Sequence, residues 1–450
     1  MSTFSFRNPM SGRSAMLKSR TWLTAVFVLF CVGLSTHVSM AQTITVNNQL
    51  ANHYSYDPFI EACPNGMTVS NIPSGYHIER PNAIFNSSSN QWVLWAHYDS
   101  NNYTTAEALV ATSSSQCGPY NIYQEFQPLG KQIRDDFLFK DTDGTAYFIA
   151  ASNKNGGAND TMAIFKLTGN YLDVDSSAGV NWAFENLYRE APIVAKQRST
   201  YFLLTSQAAG WFPSQGSYGT SASMTSGWSG VSALGNPATF RGQESGIKVI
   251  TSSSTTSYIL VMDHLGGNSA RDDGDLWVPV TLNGASKTAS LVWHSKYTVN
   301  LSTGVMVWAS TTDLAHYATA TASATASGSS PSNSADALYT TQWAAPSSAY
   351  WPAWWQVDLG SVKTIGQVNI AWPMTKGSEA YMKYKIDYSN DGVTYTSLDH
   401  TNNQMYGFTS DTVSISARYV KIELITAVIQ NTPNNWYTPA LWEVQLLGPQ

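Results

Sequence analysis

A chain of 450 residues and 49.1 kDa is too long for one small domain, and at about 150 residues per unit it predicts two or three. Charged residues make up 12% and aromatics another 12%, with 16 Trp and 24 Tyr, a balance that suits strands and argues against coiled coils and disorder. The net charge of -6, from 24 basic and 30 acidic residues, provides no basic field for a phosphate backbone, so nucleic acid is not an expected partner.

Residues 1–41 carry Arg7, Arg13, Lys18 and Arg20 and no acid, then the apolar run Trp22 to Leu34, then Ser39-Met40-Ala41 before Gln42. A positive start, a short apolar core and a small residue at the cut make a secretory signal. An apolar run of about 13 residues cannot span roughly 30 Å of hydrocarbon as a helix, so the mature form is expected to lack a membrane segment and to be secreted or periplasmic. Cys31 leaves with the signal. Cys63 and Cys117 remain, as one possible disulfide in an oxidising compartment or as two free buried thiols.

A two-part unit then recurs four times. Its first part reads Glu79-Arg80-Pro81-Asn82, Arg134-Asp135-Asp136-Phe137, Arg189-Glu190-Ala191-Pro192 and Arg241-Gly242-Gln243-Glu244, and its second is the strand around Trp92, Tyr147, Tyr201 and Tyr258. The period of about 55 residues, with further short strands and turns such as Asp143-Gly144 between, reads as a β-propeller blade. The first strand of every blade lines a central channel, which would gather Glu79, Asp135, Glu190 and Gln243 into one site. A fifth blade is expected from residues 42–75 together with Leu276 to Val307, so that the two ends of the domain close the ring. Asp141-Thr142-Asp143-Gly144 and Asp272-Asp273-Gly274-Asp275 lack the glutamate of a calcium loop and read as hairpin turns. Sequons at Asn86, Asn102, Asn159 and Asn300 suggest surface positions.

From Ser310 to Asn333 the chain is dominated by Ser, Thr and Ala, a linker running into an alternating strand near Tyr317 to Ala324. Beyond it the period is lost. Short alternating strands at Trp355-Gln356-Val357, Tyr384-Lys385-Ile386, Ala417-Arg418-Tyr419-Val420 and Trp442-Glu443-Val444 fit a β-sandwich. The expected organisation is all-β: a signal peptide at 1–41, a five-bladed propeller with an atypical first blade at 42–309, and a sandwich at 310–450.

The ordered set Glu79-Arg80-Pro81, Trp95-Ala96-His97, Cys117-Gly118-Pro119-Tyr120, Arg134-Asp135, Glu190-Ala191-Pro192, Ser206 to Trp211 and Gln243 resembles glycoside hydrolase family 43, and within it the exo-β-1,3-galactanases, over about residues 55–300. Residues 313–448 resemble an F5/8 type C, discoidin-like module of the kind grouped as carbohydrate-binding module family 32, through Trp355 to Gly360, Ser389-Asn390-Asp391-Gly392, Ala417 to Val420 and Glu443 to Gly448. The resemblance implies a monomer that removes galactose from the β-1,3-galactan of arabinogalactan-type polysaccharide.

Glycoside cleavage with inversion needs an acid for the leaving oxygen and a group that activates water on the opposite face. By the resemblance Glu190 is the acid, Asp135 orients it and tunes its proton, Glu79 binds the sugar, and Gln243 positions the water in place of the family's usual base aspartate, which this chain lacks. Glu244 is a possible substitute base, although neighbouring strand residues point to opposite faces. Tyr103, Trp211 and Arg134 are candidates for sugar contact, with packing between blades as the alternative for the aromatics. No cofactor is required. A structural calcium is possible near Ser334 to Leu338, where the usual Asp-Gly is missing. Trp351, Trp354, Trp372, Tyr381 and Trp436 include candidates for a sugar-stacking patch in the sandwich. β-Xylosidase or α-L-arabinofuranosidase activity, and carbohydrate binding without catalysis, are the other readings.

Overall fold

The computed structural model describes residues 3–5, 43–48, 67–253, 255–265, 274–309, 312–375, 377–429, 432–433 and 437–449. The signal segment, apart from 3–5, lies outside the described residues, as do Cys63, Asp272, Asp273 and Trp436. Cys117 is disulfide-bonded.

Four antiparallel four-stranded meanders follow in chain order. The first holds Tyr76–Asn86, Gln91–Ser100, Glu107–Ser113 and Asn121–Phe126; the second Asp136–Lys140, Ala146–Ser152, Thr161–Lys166 and Val180–Ala183. The third holds Arg189–Gln197, Thr200–Gln207, Gly216–Ser221 and Ser232–Leu234; the fourth Gly242–Thr251, Thr256–His264, Asp275–Asn283 and Thr288–Leu291. A further sheet joins Thr43–Asn47 to Lys296–Asn300 and Met306–Trp308, so both ends of this region share one sheet.

The segment expected to supply the closing sheet is divided. Asp275–Asn283 pairs with Thr256–His264 through Asp263↔Asp275 to Tyr258↔Val280, and so extends the fourth meander. Its Leu276, Val278 and Val280 join the core between sheets, which a place in the closing sheet would not allow. Only Lys296 to Trp308 serves the closing sheet.

The second strands of the first three meanders are buried on both faces. Val93 to Tyr98, Phe148 to Ser152 and Phe202 to Ser206 read as continuous apolar runs because sheets pack against both sides of them. One cluster sets Val93, Trp95 and Val110 of the first sheet against Phe148 and Phe165 of the second, and a larger one spans the second to fourth sheets. Asp141 to Gly144 forms a hairpin turn, as expected. Asn86 departs from expectation: its amide donates to Gly169 O and its Oδ1 accepts from Ser88, leaving it 2% exposed and closed to a glycan.

The C-terminal sandwich is built on two long bent strands, Ala353–Ala371 and Phe408–Ile429, paired from Ala353↔Leu424 to Ala371↔Phe408. Register shifts after Asp358 and Ile365 let this one pair serve both layers, as bulges bend a sheet. Trp343, Trp355, Trp372 and Tyr384 fill the space between. Trp372 and Tyr381, nominated for sugar stacking, are 0% and 6% exposed, so they are packing residues. Trp372→Ala should therefore destabilise the fold by about 3–5 kcal/mol, as for other buried tryptophans, measured as a shift of the urea midpoint; a purely surface role for Trp372 would leave the midpoint in place.

Candidate active site

The first strands of the first, third and fourth sheets break register at the same point: between Glu79 and Asn82, between Glu190 and Ile193, and between Glu244 and Gly246. Arg80 and Ala191 each take φ of 52° immediately before Pro81 and Pro192. A regular strand would alternate these side chains across the sheet, and proline cannot donate to the ladder, so each bulge re-aims consecutive residues toward the axis.

Arg80 crosses from the first sheet to the others. Its guanidinium lies 2.9 Å from Asp263 Oδ2 and 3.6 Å from Asp135 Oδ1, donates to Glu244 O at 2.8 Å, and bonds Gln243 Oε1. A guanidinium only donates, so it fixes the amide orientation of Gln243. The Gln243 nitrogen then faces Glu190 Oε1 at 3.0 Å and Ser206 Oγ at 3.1 Å. Asn159 Nδ2 approaches Glu190 Oε2 at 3.2 Å, so this sequon points into the site. Asp135 accepts the Ala191 backbone N–H at 3.1 Å, which sets its charge beside the peptide that follows Glu190.

Burial first, and the Asp135 charge second, push the Glu190 carboxyl up to about 8, against the pull of Arg80, the Ala209 backbone and Gln243. Glu190 is thus protonated at neutral pH. Glu79 has the opposite setting. Burial acts to raise it, but His97 and Tyr103 outweigh burial and hold it at about 2. Tyr103 Oη donates to Glu79 Oε1 at 2.7 Å, and His97 Nδ1 lies 3.4 Å from its other oxygen. The far nitrogen of His97 meets the fully buried Asp99 at 2.9 Å, and Arg134 pairs with the same Asp99 oxygen. Burial would lower His97, yet Asp99 and Glu79 raise it to about 9, an imidazolium between two carboxylates.

Glu190, Asp135, Gln243, Glu79, Tyr103 and Arg134 are thus brought into two adjoining networks. Trp211 stands 42% exposed on the loop after Gln207, the cross-strand partner of Arg189. Glu244 is not placed as a base: its carboxylate is buried beside Gly216, with neither oxygen hydrogen-bonded among the described residues. The sequence reading missed Arg80, His97, Asp99, Asn159 and Asp263 as site residues. Hairpin pairing was the usable signal, since Glu79 faces His97 and Gln243 faces Asp263 across their ladders.

Residues 83–249 match the family described as Glycosyl hydrolases family 43, and residues 318–443 match the F5/8 type C domain. The chain carries a family 43 glycosyl hydrolase domain and an F5/8 type C domain. Among solved structures, an exo-beta-1,3-galactanase from Phanerochaete chrysosporium with galactose is 21% identical with a TM-score of 0.54, over 84% of this chain and 85% of that one. An exo-beta-1,3-galactanase from Clostridium thermocellum is 22% identical with a TM-score of 0.49, over 78% and 84%. No protein of curated function matches. At such identity the Phanerochaete structure shares the fold, and the family match makes the family 43 domain a glycosidase.

In this glycosidase His97 keeps its proton to about pH 9, whereas in the unfolded chain it loses it near its ordinary value of about 6.5. A raised folded value means stability is fully present below pH 6.5 and falls as pH rises toward 9, by about 1.4 kcal/mol per pH unit for one proton. Urea unfolding of His97→Gln across this window should show a flatter pH dependence than the wild type; parallel curves would contradict the imidazolium.

Proposed function

We propose that the protein is an exported, monomeric, inverting exo-β-1,3-galactanase that releases galactose from arabinogalactan-type polysaccharide. The observation that carries the reading is the pairing of a protonated Glu190 with the amide of Gln243 rather than with a second carboxylate. Glu190 gives its proton to the leaving glycosidic oxygen, and Asp135 keeps that proton available at neutral pH by its charge. An amide cannot form a glycosyl ester, so the water that Gln243 holds, in the orientation Arg80 sets, bonds the anomeric carbon as the glycosidic bond breaks, with inversion, and the proton it loses passes to solvent. Glu79, ionised and braced by His97 and Tyr103, accepts hydrogen bonds from sugar hydroxyls. The fold shared with a galactanase crystallised with galactose supports the substrate class.

Incubation with β-1,3-galactan, xylan and arabinan should give galactose only from the first, initially as the α-anomer by NMR. Glu190→Gln should lower kcat by about 10²–10⁴, the usual contribution of a general acid. In the wild type the alkaline limb of the rate profile should fall near pH 8, because the acid is lost above its raised pKa. Release of xylose or arabinose instead, or no sugar with binding retained, would replace this reading.

The calcium expectation has a fit in the sandwich. Glu443 and Asp313 are buried with one oxygen each lacking a hydrogen-bond partner among the described residues, and burial followed by the Asp313 charge pushes Glu443 to about 9. Glu443 Oε1 also meets the Ala337 backbone N–H at 3.3 Å, on the loop expected to hold the ion. Among the described residues no three His, Cys, Asp or Glu side chains converge, so backbone oxygens would complete the set. Glu443 and Asp313 would hold the cation, whose role is structural. Calcium should raise Tm and a chelator reverse it, with Glu443→Gln insensitive to both; equal Tm with and without calcium would exclude the site.

A further inference from the structure

The sandwich touches the hydrolase domain beside its acid. The loop 208–215 leaves the strand Thr200–Gln207 and is tied down at both ends of its base: Ala208 N donates to Tyr188 O at 2.8 Å, Ser214 Oγ donates to Gln207 O at 2.9 Å, Ser214 O accepts from Thr239 Oγ1 at 2.7 Å, and Gln215 O accepts from Arg189 at 2.9 Å. Within it, Phe212 N donates back to Ala209 O at 3.4 Å, closing a turn through Gly210 at φ 62°. Ala209 in turn presents its backbone to the Glu190 carboxyl. The Phe212 ring does not pack into its own domain's main cluster. It enters a cup of Tyr381, Tyr406, Val428 and Met374 on the sandwich, 5.1 Å from the Tyr406 ring and nearly perpendicular to it. Behind the turn lies a cleft between the two domains, lined by Gln207, Ala209, Pro213, Ser214, Met374 and Glu379. The base of the loop is thus held within the hydrolase domain, and Phe212 ties its tip to the sandwich.

We propose that the C-terminal sandwich is part of the catalytic apparatus as well as a carbohydrate-binding module: by gripping Phe212 it holds the loop backbone at Ala209 beside Glu190 and so positions the acid. This rests on Glu190 being the acid of the proposed galactanase. Phe212 and Tyr406 are positioning residues, since neither touches the reacting atoms. An aromatic edge-to-face pair adds specific attraction to its burial, which suits a contact that must fix a loop within a fraction of an ångström. Loss of the grip would let the Ala209 backbone, whose dipole favours the ionised carboxyl, move away from Glu190 and leave it mispointed and harder to ionise. Displacement by about 1 Å can cost up to 10²-fold in rate. Tyr406 acts through its ring alone, because its buried hydroxyl has no hydrogen-bond partner among the described residues.

The test uses the full chain and two substrates of unequal need for an acid: β-1,3-galactobiose, whose leaving sugar must be protonated, and a dinitrophenyl β-galactoside, whose leaving group need not be. Phe212→Ala and Tyr406→Ala should lower kcat on the disaccharide by about 10-fold and on the aryl galactoside by less than about threefold. Tyr406→Phe should match the wild type on both, which separates positioning from loss of fold. In parallel, ¹³C NMR of labelled glutamate carboxyls, with Glu190→Gln to assign the signal, should show Glu190 titrating at higher pH in Phe212→Ala. Equal losses on both substrates, wild-type rates in Phe212→Ala, or an unmoved Glu190 titration would each overturn the proposal. A wild type that cleaves neither substrate would instead overturn the galactanase reading, and the Glu190 titration would still decide whether the grip exists.

Discussion

One buried guanidinium holds the site together. Arg80 belongs to the first sheet, yet its partners are Asp135 ahead of the second, Gln243 and the Glu244 carbonyl on the fourth, and Asp263 on the neighbouring strand. Burying a cation is costly unless its donors are met by charge and carbonyl oxygen, and here burial opposes the charge while Asp263 and Asp135 restore it. Meandering sheets that meet along an axis share no backbone hydrogen bonds with one another, so side chains must set how their inner edges align. A single five-donor fork does this for three of them. Because it donates only, it also decides which way Gln243 faces, and so what the acid sees.

The division of labour between Glu190 and Glu79 follows from that frame. Both are partly or fully removed from water, and burial alone would protonate both. Glu190 has amide donors and a negative neighbour, which leaves it a proton to give. Glu79 has an imidazolium and a phenol, which keep it an acceptor. Two glutamates on equivalent strands thus hold opposite protonation states at one pH, the condition for acid catalysis beside a charged sugar-binding group. The strain needed to aim them is local: Arg80 and Ala191 sit in left-handed backbone, at an expense of order 1–3 kcal/mol each that the buried strands around them sustain.

Much of this is legible in the sequence because repetition encodes it. An arginine or acid at the head of each unit, with an aromatic strand a dozen residues on, is enough to put Glu79, Asp135, Glu190 and Gln243 at one end of four sheets. What stays hidden are the residues that act by pairing. His97 sits in the continuous apolar run Trp92 to Tyr98, where a histidine reads as packing, and only the hairpin register sets it against Glu79. Asp263 and Asp99 are silent for the same reason. The closing sheet is misdrawn from sequence because strand periodicity does not say which edge a strand joins; Asp275–Asn283 continues a hairpin, the shorter connection. Tryptophans of the sandwich are ambiguous from composition, since a core and a sugar platform use the same residue.

The contact between the two domains is more specific than tethering requires. A module that merely raises local substrate concentration works from a flexible linker, with its orientation left free. Here Phe240 packs edge-on to Phe408 at 5.2 Å, Trp293 reaches Ser410, and Ser295 bonds Gln367 at 3.0 Å in buried surroundings. Gly407 allows the approach: at φ 69° it takes a conformation disfavoured for other residues, and a side-chain carbon there would fall 2.3 Å from Ala238. Polar groups buried across an interface are tolerated only when paired, so each such bond constrains relative orientation as well as adhesion. Fixed orientation has value only if something on one side depends on the other. The loop that follows Gln207 is the segment with that dependence, because one end of its turn is anchored in sandwich aromatics and the other presents the Ala209 backbone to the carboxyl that must deliver a proton.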